Sequence, residues 1–124
     1  MITVDYKDRR PIYEQLTAKI TELALSGELK PDEQLPSVRQ LASQLGINPN
    51  TISKAYTELE RRGIIYSVSG KGSFINSDLS AAAGDRQKEL EQRLRECVRD
   101  LKRSGADKKR LLDIIEEEIQ GEEQ

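Results

Sequence analysis

Asn50, Thr51, Ser53, Lys54 and Thr57 crowd small hydrogen-bonding groups and one cation into a single short stretch. A carboxamide can pair with an adenine edge, a hydroxyl can reach a phosphate or lie beside a thymine methyl, and a lysine supplies phosphate charge. This is the chemistry of recognition, not of bond-making. The chain has no histidine, which removes the commonest general base and metal ligand. Cys97 is its sole cysteine, so internal disulfides and cysteine metal clusters are excluded. It carries no nucleophile motif and no paired acids at a catalytic spacing. Glu116-Glu117-Glu118 reads as the solvated face and end of a helix, not a metal site. No enzyme activity, metal or cofactor is expected.

The recognition residues need an element to present them, and residues 35–62 supply it. Pro36 leads into Ser37, with Gln40 three positions on, a capping-box start. Leu41, Ala42 and Leu45 then share a face, and Gly46 suits the left-handed residue that ends a helix. Asn48 is a good N-cap and Pro49 fits the first helical position. Ile52, Ala55, Tyr56 and Leu59 form a second apolar face, closed by Gly63. Two short helices joined by so tight a turn must cross sharply, as in a helix-turn-helix. The polar residues are left on the outer face of the second helix, which suits the major groove of DNA.

Pro11 begins a supporting helix that runs to about Leu25, with Ile12, Leu16, Ile20 and Leu23 as its stripe and Gly27 as its end. The first ten residues read as extended, Ile2, Val4 and Tyr6 alternating with polar neighbours. Arg9 and Arg10 there fit either a phosphate contact or a solvated arm. Residues 26–34 form a turn-rich connector. Beyond Gly63 the period becomes strand-like: Ile64, Ile65, Tyr66 and Val68, then Ser73, Phe74 and Ile75, separated by Ser69-Gly70-Lys71-Gly72. Two strands on a Gly-rich turn make a hairpin, and a hairpin after a helix-turn-helix is a wing. Turn geometry accounts for the glycines. Lys71 at the tip fits a phosphate or minor-groove contact as well as plain solvation. Gly-Lys-Gly lacks the spacing and following helix of a nucleotide phosphate loop.

Residues 77–84 mark a change of composition, either a linker or a helix start capped by Asp78 or Ser80. From Asp85 to about Arg103 a helix carries Leu90, Leu94, Cys97, Val98 and Leu101 on one face. Ser104-Gly105 stops it, and Asp107 caps a last helix with Leu111, Leu112, Ile114, Ile115 and Ile119. An isolated helix pair this short cannot bury both stripes. Either the winged domain or a second subunit must cover them, and the symmetric pairing of helix-turn-helix readers favours a homodimer. Leu90, Leu94, Val98, Leu101, Leu111 and Ile115 are its candidate contacts. Cys97 reads as a small buried hydrophobe rather than a redox switch, with no resolving partner nearby. The predicted fold is α+β, mostly α: a winged helix-turn-helix over 1–76 and a two-helix dimerisation segment over 77–124.

The formal charge of −2 is at first awkward for a DNA-binding protein. It is unevenly spread, however: residues 35–76 hold five Lys/Arg against two Asp/Glu, and the acidic excess lies on either side. The local field governs phosphate affinity. No apolar run approaches the length of a membrane span and no signal sequence opens the chain, so a cytoplasmic location is expected.

Several strings together resemble the GntR superfamily of bacterial transcription regulators, and within it the YtrA-like subfamily with short C-terminal regions. They are Pro11-Ile12-Tyr13-Glu14-Gln15-Leu16, Leu35-Pro36-Ser37-Val38-Arg39-Gln40-Leu41-Ala42, Asn48-Pro49-Asn50-Thr51-Ile52-Ser53-Lys54-Ala55-Tyr56, Glu58-Leu59-Glu60 to Gly63, and Gly70-Lys71-Gly72-Ser73-Phe74. The resemblance covers about residues 6–76; beyond it only length and two-helix character agree. It implies a winged helix-turn-helix binding an operator as a homodimer, most often as a repressor. The DNA contacts it implies fall on Arg39, Asn48, Asn50, Thr51, Ser53, Lys54 and the wing at Gly70. Where many members carry arginines in the recognition helix, this chain has Pro49 and Ser53, so base readout should lean on Arg39, Asn50, Thr51 and Lys54. The expected function is a sequence-specific DNA-binding regulator acting on double-stranded DNA. The alternative, a winged-helix protein-interaction module, would want an apolar outer face on the second helix. Fewer than 50 residues follow the wing, too few for a large ligand-binding domain. A pocket between paired helices is left open as a place for a small-molecule effector.

Overall fold

A computed structural model describes residues 2–123. Helix α1 (Ile12–Ser26) buries Leu16, Ile20 and Leu23, and Gly27 ends it in the left-handed conformation. The hydroxyls of Thr17 and Thr21 are buried too and donate to the carbonyls of Tyr13 and Thr17, both at 2.7 Å. Helix α2 (Val38–Leu45) starts on the expected capping box: Ser37 Oγ accepts from Gln40 N at 3.1 Å, and Gln40 Oε1 accepts from Ser37 N at 2.8 Å. Gly46, at φ 65°, releases the chain into the turn. Helix α3 (Pro49–Arg61) has Asn48 as N-cap, its side chain accepting from Asn50 N at 2.8 Å. Ile52, Ala55, Tyr56 and Leu59 of α3 pack against α1 and α2.

Strands β1 (Ile65–Val68) and β2 (Gly72–Ile75) pair antiparallel, Ile65 opposite Ile75 and Val68 opposite Gly72. Tyr66 stacks on Phe74 with ring centroids 5.5 Å apart. The connector read as a plain turn region contributes a third, partial strand. Leu35 N donates to Ser73 O and Asp32 N to Ile75 O, both at 2.8 Å, and Gln34 bridges to Phe74. This pairing joins residues far apart in sequence, and nothing local in the segment announces it.

The contacts divide the chain into two compact units, Met1–Gly84 and Asp85–Gln124. Helix α4 (Ser80–Arg103) starts earlier than the periodicity alone suggests. Asp78 Oδ1 accepts from Ser80 N at 3.1 Å and from Ser80 Oγ at 2.7 Å. The alanines that follow carry the helix through Gly84, and Ala82 and Leu79 pack on the core of the first unit. Helix α5 (Lys108–Glu123) is capped by Asp107, whose Oδ1 accepts from Arg110 N at 2.9 Å.

One further expectation changes. Residues 2–10 form no strand: Asp5 and Asp8 accept from Lys7 N and Arg10 N, both at 2.9 Å, and these local side-chain bonds turn the chain. Gln15 holds that arm, accepting from Asp5 N at 2.8 Å and donating to the carbonyls of Asp5 and Arg10 at 3.0 Å. Cys97, read as a small hydrophobe on the apolar face of α4, is exposed in the single chain like Leu94 and Leu101 on that face.

Candidate nucleic-acid interface

The outer face of α3 is built by what its inner face buries. Ile52, Ala55 and Leu59 are 0% exposed, which fixes the rotation of the helix about its axis. Tyr56 completes that inner face and locks it to the start of α2, its hydroxyl donating to Pro36 O at 2.6 Å. Burial pushes the Tyr56 phenol up to about 12, so it remains a donor throughout the physiological range. With the inner face held, Asn50, Ser53, Lys54 and Thr57 are exposed and Thr51 is half-buried. Asn48 is exposed as well, but its carboxamide oxygen is committed to the helix start. Arg39 lies in the first turn of α2, also exposed. Gly70, at φ 76°, and Lys71 form the exposed wing tip.

Charge is partitioned within this unit. Glu58 binds two arginines of its own helix end: Arg61 Nε donates to it at 3.0 Å and Arg62 Nε at 2.9 Å. Those bonds pull its carboxyl down from the ordinary 4.5 to about 2. One carboxylate thus offsets one of the two arginine charges and ties both guanidinium groups to the end of α3. Among the described residues, the ion pairs involve none of Arg39, Lys54 and Lys71. The three unpaired cations are those that the sequence singled out.

Sequence reading missed two residues that hold these cations. Lys54 Nζ sits 3.9 Å from the centroid of the Tyr13 ring on α1, a cation–π contact across two helices. Gln34 Nε2 donates to Lys71 O at 2.8 Å, from the partial strand to the wing tip. Neither has a local signature. The Glu58 claw does, since acid and base three and four positions apart on a helix are neighbours. Arg10, one of two arginines considered for phosphate contact, is instead paired with Asp8 at 2.8 Å.

The apolar stripes of α4 and α5 are uncovered in the single chain. From residue 85 to residue 121 no described residue is buried. Leu90, Leu94 and Leu101 are 46%, 53% and 41% exposed, Ile115 is 37%, and Val98 and Leu111 are half-buried. No described helix is long and apolar enough to cross a membrane.

Comparison with known proteins agrees with this geometry. The family model described as "Bacterial regulatory proteins, gntR family" matches residues 12–75, from the start of α1 to the end of β2. The HTH-type transcriptional repressor YtrA of Bacillus subtilis is 38% identical over 118 residues, covering 94% of this chain and 91% of YtrA. A transcriptional regulator from Oenococcus oeni has a solved structure that superposes with a TM-score of 0.75 at 34% identity, over 96% of this chain and 99% of that one. The DNA-binding domain of AraR, solved in complex with operator ORE1, superposes with a TM-score of 0.51 at 31% identity, over 60% of this chain and 92% of that one.

Proposed function

This chain belongs to the GntR family of bacterial regulatory proteins and is a DNA-binding transcription regulator; from that premise we propose that it is a cytoplasmic repressor that binds a palindromic operator as a homodimer. The observation that carries the reading is the polar, exposed outer face of α3 above a fully buried inner one. A protein-docking helix would present apolar groups there. In the proposed complex α3 enters the major groove. Asn50 pairs with an adenine edge, and Arg39 reads a guanine or clamps a phosphate. Thr51 and Ser53 bond phosphate oxygens or lie beside thymine methyls. Asn48, Lys54, Gly70 and Lys71 make backbone contacts that set register.

Residues 1–76 form the DNA-binding part in this proposal, and 77–124 the dimerisation part. The exposed leucines and isoleucines of α4 and α5 support it: fully burying one such side chain yields about 1.5–3 kcal/mol, and a second copy of the same helices offers a matching apolar surface. The repressor assignment rests on the likeness to YtrA across nearly the whole of both chains. Operator affinity of Arg39→Ala tests the reading. A loss of about 1–3 kcal/mol in specific binding is expected, with non-specific binding changed far less. Unchanged operator affinity would remove Arg39 from the interface.

A further inference from the structure

We propose that Gln34, outside the helix-turn-helix and outside the hairpin, is a positioning residue that fixes the wing lysine Lys71 for its phosphate. The inference rests on the reading above, in which Lys71 contacts the DNA backbone.

Both backbone polar groups of Lys71 are held. Its N–H donates to Val68 O at 2.9 Å, closing the turn, and its carbonyl accepts from Gln34 Nε2 at 2.8 Å. The first bond belongs to the hairpin. The second comes from a residue 37 positions away in sequence, and it ties the tip of an exposed two-stranded ribbon back to the body of the domain. Gln34 is a firm anchor because its own backbone is fixed on both sides: Ile75 N donates to Glu33 O at 2.9 Å and Leu35 N to Ser73 O at 2.8 Å, and Leu35 is buried.

Gly72 makes room for this contact. A Cβ there would lie 2.9 Å from Gln34 Nε2, and its φ of +121° is one that side chains rarely adopt. The space a side chain would fill is occupied by the carboxamide. The Lys71 side chain meanwhile stays exposed and takes part in no ion pair among the described residues. A two-stranded ribbon is only marginally stable by itself, and a cation on a wandering tip must be ordered at the moment of binding. Gln34 orders it beforehand.

The experiment uses the full chain with Gln34→Met, which keeps the side chain's length and neutrality but removes the donor. In the free protein, backbone 15N order parameters of residues 69–72 should fall from the rigid level of about 0.85 toward about 0.6, with α1 to α3 unchanged. Unaltered order at the tip overturns the pin. On operator DNA, Gln34→Met should weaken binding about fivefold, the lower end of what ordering one residue's backbone is worth. Lys71→Ala should weaken it roughly five- to tenfold at 0.1 M salt and lower the salt slope by about 0.9.

The decisive comparison is the double-mutant cycle. In the Lys71→Ala background the Gln34→Met penalty should shrink to the small part owed to Gly70, while in the Arg39→Ala background it should persist in full. Penalties that simply add with Lys71→Ala overturn the positioning role, because a general loss of stability would act alike in both backgrounds. If Lys71→Ala binds as the wild type does, the wing contact itself is wrong and the inference falls with it. The order-parameter measurement needs no DNA, and so separates that failure from failure of the pin.

Discussion

Arg39, Lys54 and Lys71 are the basic side chains of residues 35–76 that enter no ion pair among the described residues, whereas Glu58 holds both Arg61 and Arg62. That arrangement has a pH signature. A carboxyl held at about 2, against an ordinary 4.5, adds stability above pH 4.5 and loses it as the pH falls toward 2. Glu58→Gln should therefore flatten the acid limb of a stability-versus-pH curve between those values. At neutral pH it should cost no more than roughly 1 kcal/mol, since the pairs are at the surface. Chemical denaturation at several pH values checks this, and an acid limb identical to the wild type's would contradict the role given to Glu58. Lys54 shows a different kind of control: Tyr13 holds its ammonium over a ring face, so its position is set by α1 as well as by α3.

At the scale of elements, the helix-turn-helix depends on its caps. Ser37 and Gln40 satisfy each other's N–H groups at the start of α2, a helix of only eight residues in which each terminal bond is a large share of the total. Ser37→Ala should destabilise the domain by about 1 kcal/mol, read as a lower midpoint in urea with an unchanged slope. A midpoint equal to the wild type's would mean that tertiary packing alone holds α2. The caps at Ser37, Asn48 and Asp107 were legible in the sequence because each is completed within three residues. So were the apolar faces of α1, α2 and α3, which repeat at the helical period. What escaped was either long-range or a competition between local preferences. The strand at Gln34 pairs with residues some forty positions on. The turns at Asp5 and Asp8 displaced an alternating pattern that looked extended. On the candidate interface, the outward-facing residues were readable and the residues that hold them, Tyr13 and Gln34, were not.

The chain has a covered core in its first unit and uncovered apolar stripes in its second. Its first 84 residues bury Leu16, Ile20, Ile52, Leu59 and Ile75 almost completely, whereas α4 and α5 leave Leu90, Leu94, Leu101, Leu112, Ile115 and Ile119 exposed in the single chain. In the proposed homodimer, pairing through those side chains would make a two-headed reader of a palindromic operator, with half-sites set by the protein's symmetry. Leu94→Lys should convert the dimer to a monomer in analytical ultracentrifugation and sharply reduce operator affinity, with the melting of the first unit preserved. A wild-type chain that sediments as a monomer at micromolar concentration would contradict the dimer. Specific DNA reading through α3 and its flanking cations can be measured by selecting genomic fragments with the purified protein at two salt concentrations. Enrichment of a palindromic site is expected, with affinity falling steeply as salt rises because several phosphates are neutralised. Recovery of fragments no different from the input would contradict it.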